Sequence, residues 1–274
     1  MFRYREDIVP VAIFLSFFAA DLAVFFLIEN RWLVVGWMLL GILPKAFISS
    51  WNHHHQHLPT FRGEFLNRCL DFVYGFLTGV TSHAWVLHHV LGHHLHYLDQ
   101  EADESRWKDA EGKQMGVLRY SLVTALTAYP RCFPVARAFP KQGKVFFRML
   151  ALTLVVLAFL VWWNWFNALC IFILPMWISL YNTAWHTYYH HSGLDTDDEF
   201  QASYNILCRW YNICTGNLGY HTAHHVKMGI HWSRLPEFHD SIKDKIPTTL
   251  YRYPPPPFKW FIDRRIPPHE IGAL

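Results

Sequence analysis

Two long hydrophobic runs separated by a short polar turn open the chain. Ile8 to Ile28 is apolar apart from Asp21, Glu29-Asn30-Arg31 makes the turn, and Trp32 to about Trp51 is apolar again. Each run is about the 20 residues a helix needs to cross the hydrocarbon of a bilayer. So short a connection makes the pair an antiparallel hairpin. The pattern recurs from about Val145 to Trp163, with a turn at Trp163-Asn164-Trp165 and a return from Phe166 to about Trp185. Tryptophans at these turns suit the boundary between hydrocarbon and water. The expected fold is all-α and integral to the membrane. It has four transmembrane helices in two hairpins (about 8–28, 32–51, 145–163 and 166–185), a helical cap from 52–144 and 186–253, and a tail, 254–274, all within one domain.

Two further apolar stretches are interrupted. Leu70 to Val90 carries Asp71 and His83, and Val117 to Phe133 contains Arg119, Pro130 and Arg131. Both read as interfacial helices rather than crossings. The tail, with Pro254 to Pro257, reads as extended and peripheral. The first run is too long for the core of a signal peptide and no small-residue cleavage site follows it, so it reads as a retained span.

Charge orients the hairpins. Of 24 lysines and arginines, all but Arg31 and Lys45 fall in the N-terminal stub, the middle segment, the C-terminal segment or the adjoining end of the third run. Basic residues collect on the cytoplasmic side, so both termini and the cap are expected there. A net charge of only +3 gives no footprint for nucleic acid. The five cysteines include no C-x-x-C and suggest neither a disulfide framework nor a thiolate metal site. Charged residues inside spans are costly, which singles out Asp21 and Lys45, although Lys45 is close enough to the inner end to snorkel.

Nineteen histidines in 274 residues are the outlier, and most stand in clusters at the inner ends of the apolar runs. The first cluster is His53-His54-His55-Gln56-His57, in which His53 and His57 share a helix face at i,i+4. In the second, His88-His89-Val90-Leu91-Gly92-His93-His94-Leu95-His96, His89 and His93 have the same spacing and His94 is offset towards a second metal. In the third, His221, His224 and His225 share a face. A fourth group, His186, His190 and His191, closes the last apolar run. These clusters are spaced, unlike one another and set in aromatic sequence, which separates them from repetitive metal-storage tracts. One zinc would leave most of the imidazoles unused, and no H-E-x-x-H is present. Eight or more imidazoles suit two metals with open positions. Imidazole suits iron, while ligand type alone leaves copper and zinc open.

H-x-x-x-H, H-x-x-x-H-H and H-x-x-H-H, in this order around membrane hairpins, resemble the membrane fatty acid desaturase and alkane hydroxylase superfamily. Asn217-Leu218-Gly219-Tyr220-His221-Thr222-Ala223-His224-His225, followed by Trp232-Ser233-Arg234-Leu235-Pro236, is similar to the third box of that family and its sequel. Gly92-His93-His94, with Asp99, Glu101, Asp103 and Glu104 soon after, is similar to the second. The resemblance covers roughly residues 45–240. It implies two iron ions in a non-haem di-iron centre, dioxygen as co-substrate and a lipid or fatty acid substrate. It also implies a separate electron donor, such as a ferredoxin, rubredoxin or cytochrome with its reductase.

Carried over by motif, the resemblance nominates His53 and His57; His89, His93 and His94; and His221, His224 and His225 as ligands. It implies a ninth ligand after the fourth span, where His190 and His191 compete. His190 is favoured, with His186 beside it as a direct or water-mediated ligand. His54, His55, His88 and His96 are left as supporting or solvent-facing candidates. Neutral ligands need carboxylates behind them, and Asp99, Glu101, Asp103, Asp195, Asp197, Asp198 and Glu199 flank the boxes.

The activity expected is dioxygen-dependent oxidation of a fatty acyl or alkyl chain, foremost desaturation. Hydroxylation, or oxidative decarboxylation to a terminal alkene, would use the same site. A non-redox metal-binding or metal-transporting membrane protein is the reading from another class, and it expects histidines in mid-span rather than at span ends.

Overall fold

Apolar helices built around a buried ion pair form the lower half of the molecule. The computed structural model describes residues 1–271. Helices α1 (Ile8–Leu27) and α2 (Arg31–His57) occupy the first two apolar runs, and Asn30 caps α2 by accepting from the backbone of Trp32 and Leu33. Helix α5 (Pro140–Ala168), a π-helical turn and α6 (Leu174–His191) form one 52-residue apolar stretch. The backbone of Asn164 leaves helical geometry, and the two halves fold back on each other. Leu150 packs in one cluster with Leu180, and Leu160 in another with Ala168. Asn167 ties this turn to the first hairpin by donating to the carbonyls of Phe25 (2.9 Å) and Ile28 (3.1 Å). Three stretches, Arg5–Leu27, Arg31–His57 and Pro140–His191, are long and apolar enough to cross a membrane, which makes this a multi-pass integral membrane protein.

Lys45 does not snorkel. Its Nζ lies 2.9 Å from Asp21 Oδ2 and donates to the Ile171 carbonyl at 2.7 Å, while Trp37 Nε1 donates to Asp21 Oδ1 at 2.8 Å. Both charged residues are buried, Asp21 at 0% and Lys45 at 2% exposure. The π-helical turn Leu169–Ile173 presents the carbonyl that Lys45 uses, so this ion pair joins α1, α2 and the start of α6.

Leu70 to Val90 does not form one interfacial helix. Helix α3 (Glu64–Thr78) ends at Gly79, and most of it is buried among α1, α2 and α6. Phe76 reaches Phe25, Val34 and Phe172 near the turns of both hairpins. The chain then turns back through Gly79 at φ +71, where a Cβ would stand 2.2 Å from the Met176 carbonyl oxygen. Only glycine fits that reversal. Helix α4 (Val117–Ala138) contains Pro130 and Pro134 and packs along α5 and α6.

The upper half holds α7 (Arg209–Thr215), α8 (His221–Val226) and α9 (Leu235–Ile242). The start of the tail is not peripheral, although most of the residues after Phe258 are exposed. Pro254, Pro255 and Phe258 are buried, and Phe258 packs with Tyr211, Ile206 and Phe47, because an aromatic side chain there closes the underside of α7. Residues 272–274 of the expected tail lie outside the described residues.

Removing one partner of the interior ion pair leaves an uncompensated buried charge, which costs about 3–5 kcal/mol. Lys45→Met is expected to lower the thermal unfolding temperature of the detergent-solubilised protein sharply. Lys45→Met combined with Asp21→Asn should recover most of the loss. Equal stability of Lys45→Met and wild type would contradict the role given to the pair.

Candidate metal centre

Nine imidazoles converge above the helical bundle in two adjoining groups. His53, His57, His89, His94 and His224 offer ring nitrogens that all lie within 4.8 Å of one another, and so do His93, His191 and His225. His221 adjoins the second group, with its Nε2 3.0 Å from that of His191. His93 Nε2 lies 3.4 Å from His191 Nε2.

Local backbone geometry sorts the clusters between the groups. At the end of α2, the i,i+4 pair His53 and His57 stay together, Nε2 to Nε2 at 3.1 Å. The second cluster begins in a π-helical turn, Val86–Leu91, and the His94 amide donates to the His89 carbonyl five residues back at 2.8 Å. This wider turn pairs His89 with His94 (3.0 Å) and sends His93 to the other group, reversing the pairing that regular helical spacing implies. The third cluster also divides: His224 meets His94 at 3.1 Å, whereas His225 and His221 serve the second group. Helix α8 is held in place through Thr222, whose amide donates to Asn205 Oδ1 (3.0 Å) and whose hydroxyl accepts from Asn205 Nδ2 (2.8 Å). The approach to α8 is tight, since a Cβ on Gly219 would lie 2.1 Å from the Ile206 carbonyl oxygen.

His190 and His186 join neither group. His190 points Nδ1 at the Tyr204 carbonyl (2.9 Å) and Nε2 at the Tyr211 hydroxyl (3.3 Å), and its ring stacks on His221 with centroids 4.0 Å apart. His191, one residue on, turns Nε2 into the second group and anchors Nδ1 on the Ala202 carbonyl at 3.0 Å. Adjacent helical residues point about 100° apart, so spacing alone does not choose between them. The choice depends on which face of α6 meets α8. His54 reaches the Thr215 carbonyl, His55 lies beside Thr60 and Asp71, and His96 is exposed.

Among the flanking acids, Asp103 is buried and accepts from His93 Nδ1 through both oxygens, at 2.8 and 2.9 Å. Such a carboxylate fixes the tautomer that leaves Nε2 free to bind. Asp195 instead pairs with Lys108, while Asp99 and Asp198 accept from backbone amides of their own turns. Tyr97, which sequence reasoning passed over, has its ring centroid 4.5 Å from that of His225 and 6.5 Å from that of His94, so it adjoins both groups.

The electrostatics of these groups point to cations. Burial, reinforced by neighbouring imidazoles, pushes the pKa values of His89, His94, His221, His224 and His225 well below the ordinary histidine range. The rings are therefore neutral at physiological pH, each with a lone pair. The contacts His57–His53–His89–His94–His224 run Nε2 to Nε2 at 2.8 to 3.1 Å, yet Nδ1 of His53, of His94 and of His221 and both nitrogens of His225 lack hydrogen-bond partners among the described residues. With metal–nitrogen bonds of about 2.1 Å, neighbouring ligand nitrogens stand about 3.0 Å apart at right angles and about 3.4 Å apart in a tetrahedron. The observed spacings match those edges, so each group is able to bind a metal ion.

A cavity adjoins both groups. Its wall includes His53 and His89 from one and His191 and His221 from the other, with Ser49 and Thr183 from α2 and α6.

Comparison with known proteins agrees with this geometry. The family model described as fatty acid desaturase matches residues 30–257, most of the chain. No curated protein and no solved structure matches the chain. With the histidine boxes inside the matched region and gathered into two metal-binding groups, the chain belongs to the fatty acid desaturase family of non-haem di-iron oxidoreductases.

Proposed function

We propose that the protein is a dioxygen-dependent desaturase of fatty acyl chains carrying two iron ions. His53, His57, His89, His94 and His224 would hold one, and His93, His191, His221 and His225 the other. The observation that carries this reading is the pair of adjoining, neutral, partly unpartnered imidazole groups opening on one shared cavity. His191 takes the ninth ligand position in place of His190, because only its ring nitrogen reaches the second group. His190, buttressed by Tyr204 and Tyr211, orients His221 by stacking on it.

Bound iron would supply dioxygen activation and removal of hydrogen from an unactivated C–H bond. The chain's own residues do the rest. Asp103 holds the His93 tautomer, α8 carries three of the ligands, His221, His224 and His225, and α2 and α6 wall the cavity. Four crossings, the cap and both termini on the cytoplasmic side, follow from the hairpin turns and from the placement of basic residues. Electrons arrive from a separate redox protein, since the histidine site is the one redox centre this reading supplies. Mid-span histidines would favour a metal transporter, but here the histidines gather at the inner ends of α2 and α6.

Lipids and headspace of cells expressing the protein, with and without His225→Ala, test the reaction. New internal double bonds that disappear in the variant are expected. Hydroxylated chains or volatile alkenes would move the assignment to the sister reactions, and no oxidised lipid would refute it. His191→Ala should lower bound iron from about two to about one per chain and abolish activity, whereas His190→Gln should retain both irons. The reverse pattern would restore His190 as the ligand. Asp103→Asn should weaken metal binding about 10–100-fold, read by chelator competition.

A further inference from the structure

Beside the metal-facing cavity lies a second, bounded by α4, α6 and the π-helical turn Val86–Leu91, that the proposed reaction does not use. The two share Trp85, His89, Thr183 and Thr187 as common wall, so they adjoin at a ligand of the first group. The floor of the second cavity is apolar, with Val80, Ala84, Ala125 and Leu180 among its residues. Its lining residues nevertheless include three with buried polar atoms that have no hydrogen-bond partner among the described residues: Trp85 Nε1, His88 Nε2 and Thr124 Oγ1. The neighbouring Tyr120 hydroxyl gives its proton to the Ser105 carbonyl at 2.8 Å.

A buried polar atom left without a partner is destabilising, and three around one apolar cavity, Trp85 and His88 from one turn and Thr124 from α4, call for a common explanation. The indole N–H can only donate, the threonine hydroxyl can donate, and an imidazole nitrogen donates when it bears the proton. What the three share is therefore an acceptor. Ala125, Tyr129 and Leu180 are shared with an open groove walled also by Leu154, Leu157 and Trp177, of which Leu154 and Trp177 are exposed on the apolar surface of the bundle.

We propose that this second cavity is a binding site for the oxygen-bearing end of the alkyl substrate, a carboxylate or an ester carbonyl, held by Trp85, His88 and Thr124 while the tail trails into the lipid-facing groove. The inference rests on the oxidative function argued above. Trp85 lies between the two cavities, its ring centroid 5.2 Å from that of His89 and 5.3 Å from that of His53. The carbons beside the metal groups are then those nearest the oxygen, and the open groove tolerates tails of different length. The site thus measures the chain from its oxygenated end.

The test feeds a series of saturated chains of increasing length, as free acids, as methyl esters and as plain alkanes, to membranes containing the iron-loaded protein with reductant and dioxygen. Mass spectrometry locates the modified carbons. Their position should be constant when counted from the oxygenated end, and alkanes should remain unchanged. Preference between acid and ester identifies which oxygen is bound. Thr124→Val and Trp85→Phe should each lower kcat/KM for the preferred substrate about tenfold, with iron content unchanged. A position constant from the methyl end, alkanes oxidised as readily as acids, or a Thr124→Val enzyme with wild-type kcat/KM, as when water alone fills the cavity, would overturn the proposal while leaving the oxidative function intact. If no chain of any kind is oxidised, the function itself fails and this inference falls with it.

Discussion

Neutral imidazole lone pairs packed against one another in a buried space are unfavourable unless something positive lies between them. This constraint governs the upper half of the molecule. Five ring nitrogens in one group and three in the next, with a ninth imidazole alongside, converge from α2, the segment His89–His94, α6 and α8. No single element supplies enough of them for even one site. The fold must therefore bring four separated segments to one place, and its internal fastenings serve that end. Asp21 and Lys45 lock α1, α2 and the start of α6 together from below, Asn167 ties the two hairpins at their turns, and Asn205 with Thr222 sets α8 from above.

The same constraint explains where polar groups are tolerated. Asp103 is tolerated in the interior because His93 Nδ1 hydrogen-bonds to it, and its charge would offset part of what two cations bring. Asp21 is buried because Lys45 and Trp37 satisfy it. The unpartnered polar atoms around the second cavity find no such compensation among the described residues, and under the proposal above the substrate supplies it. Structural and functional polarity are thus distinguished by whether the partner belongs to the protein.

Much of this was legible in the sequence. The apolar runs and their polar turns mark α1, α2, α5 and α6, including the break at Asn164, because hydrophobic length is a strong constraint. The three histidine boxes were visible through spacing alone. What escaped was local geometry. The π-helical turn exchanges the partners of His93 and His94, and a five-residue hydrogen bond leaves no trace in a pattern of i,i+4 histidines. His190 and His191 differ only in which face of α6 meets α8, a tertiary fact. The tail looked extended because of its prolines, yet Phe258 packs under α7. Leu70 to Val90 looked like one surface helix because Gly79 is a single residue, although the backbone reversal there depends on it.

The most direct test of the central claim is Mössbauer spectroscopy on the purified protein loaded with iron-57. Two iron ions per chain, in nitrogen- and oxygen-rich environments and magnetically coupled after exposure to dioxygen, are the predicted result. Uncoupled single iron sites, or an active protein that carries zinc and no iron, would contradict the account.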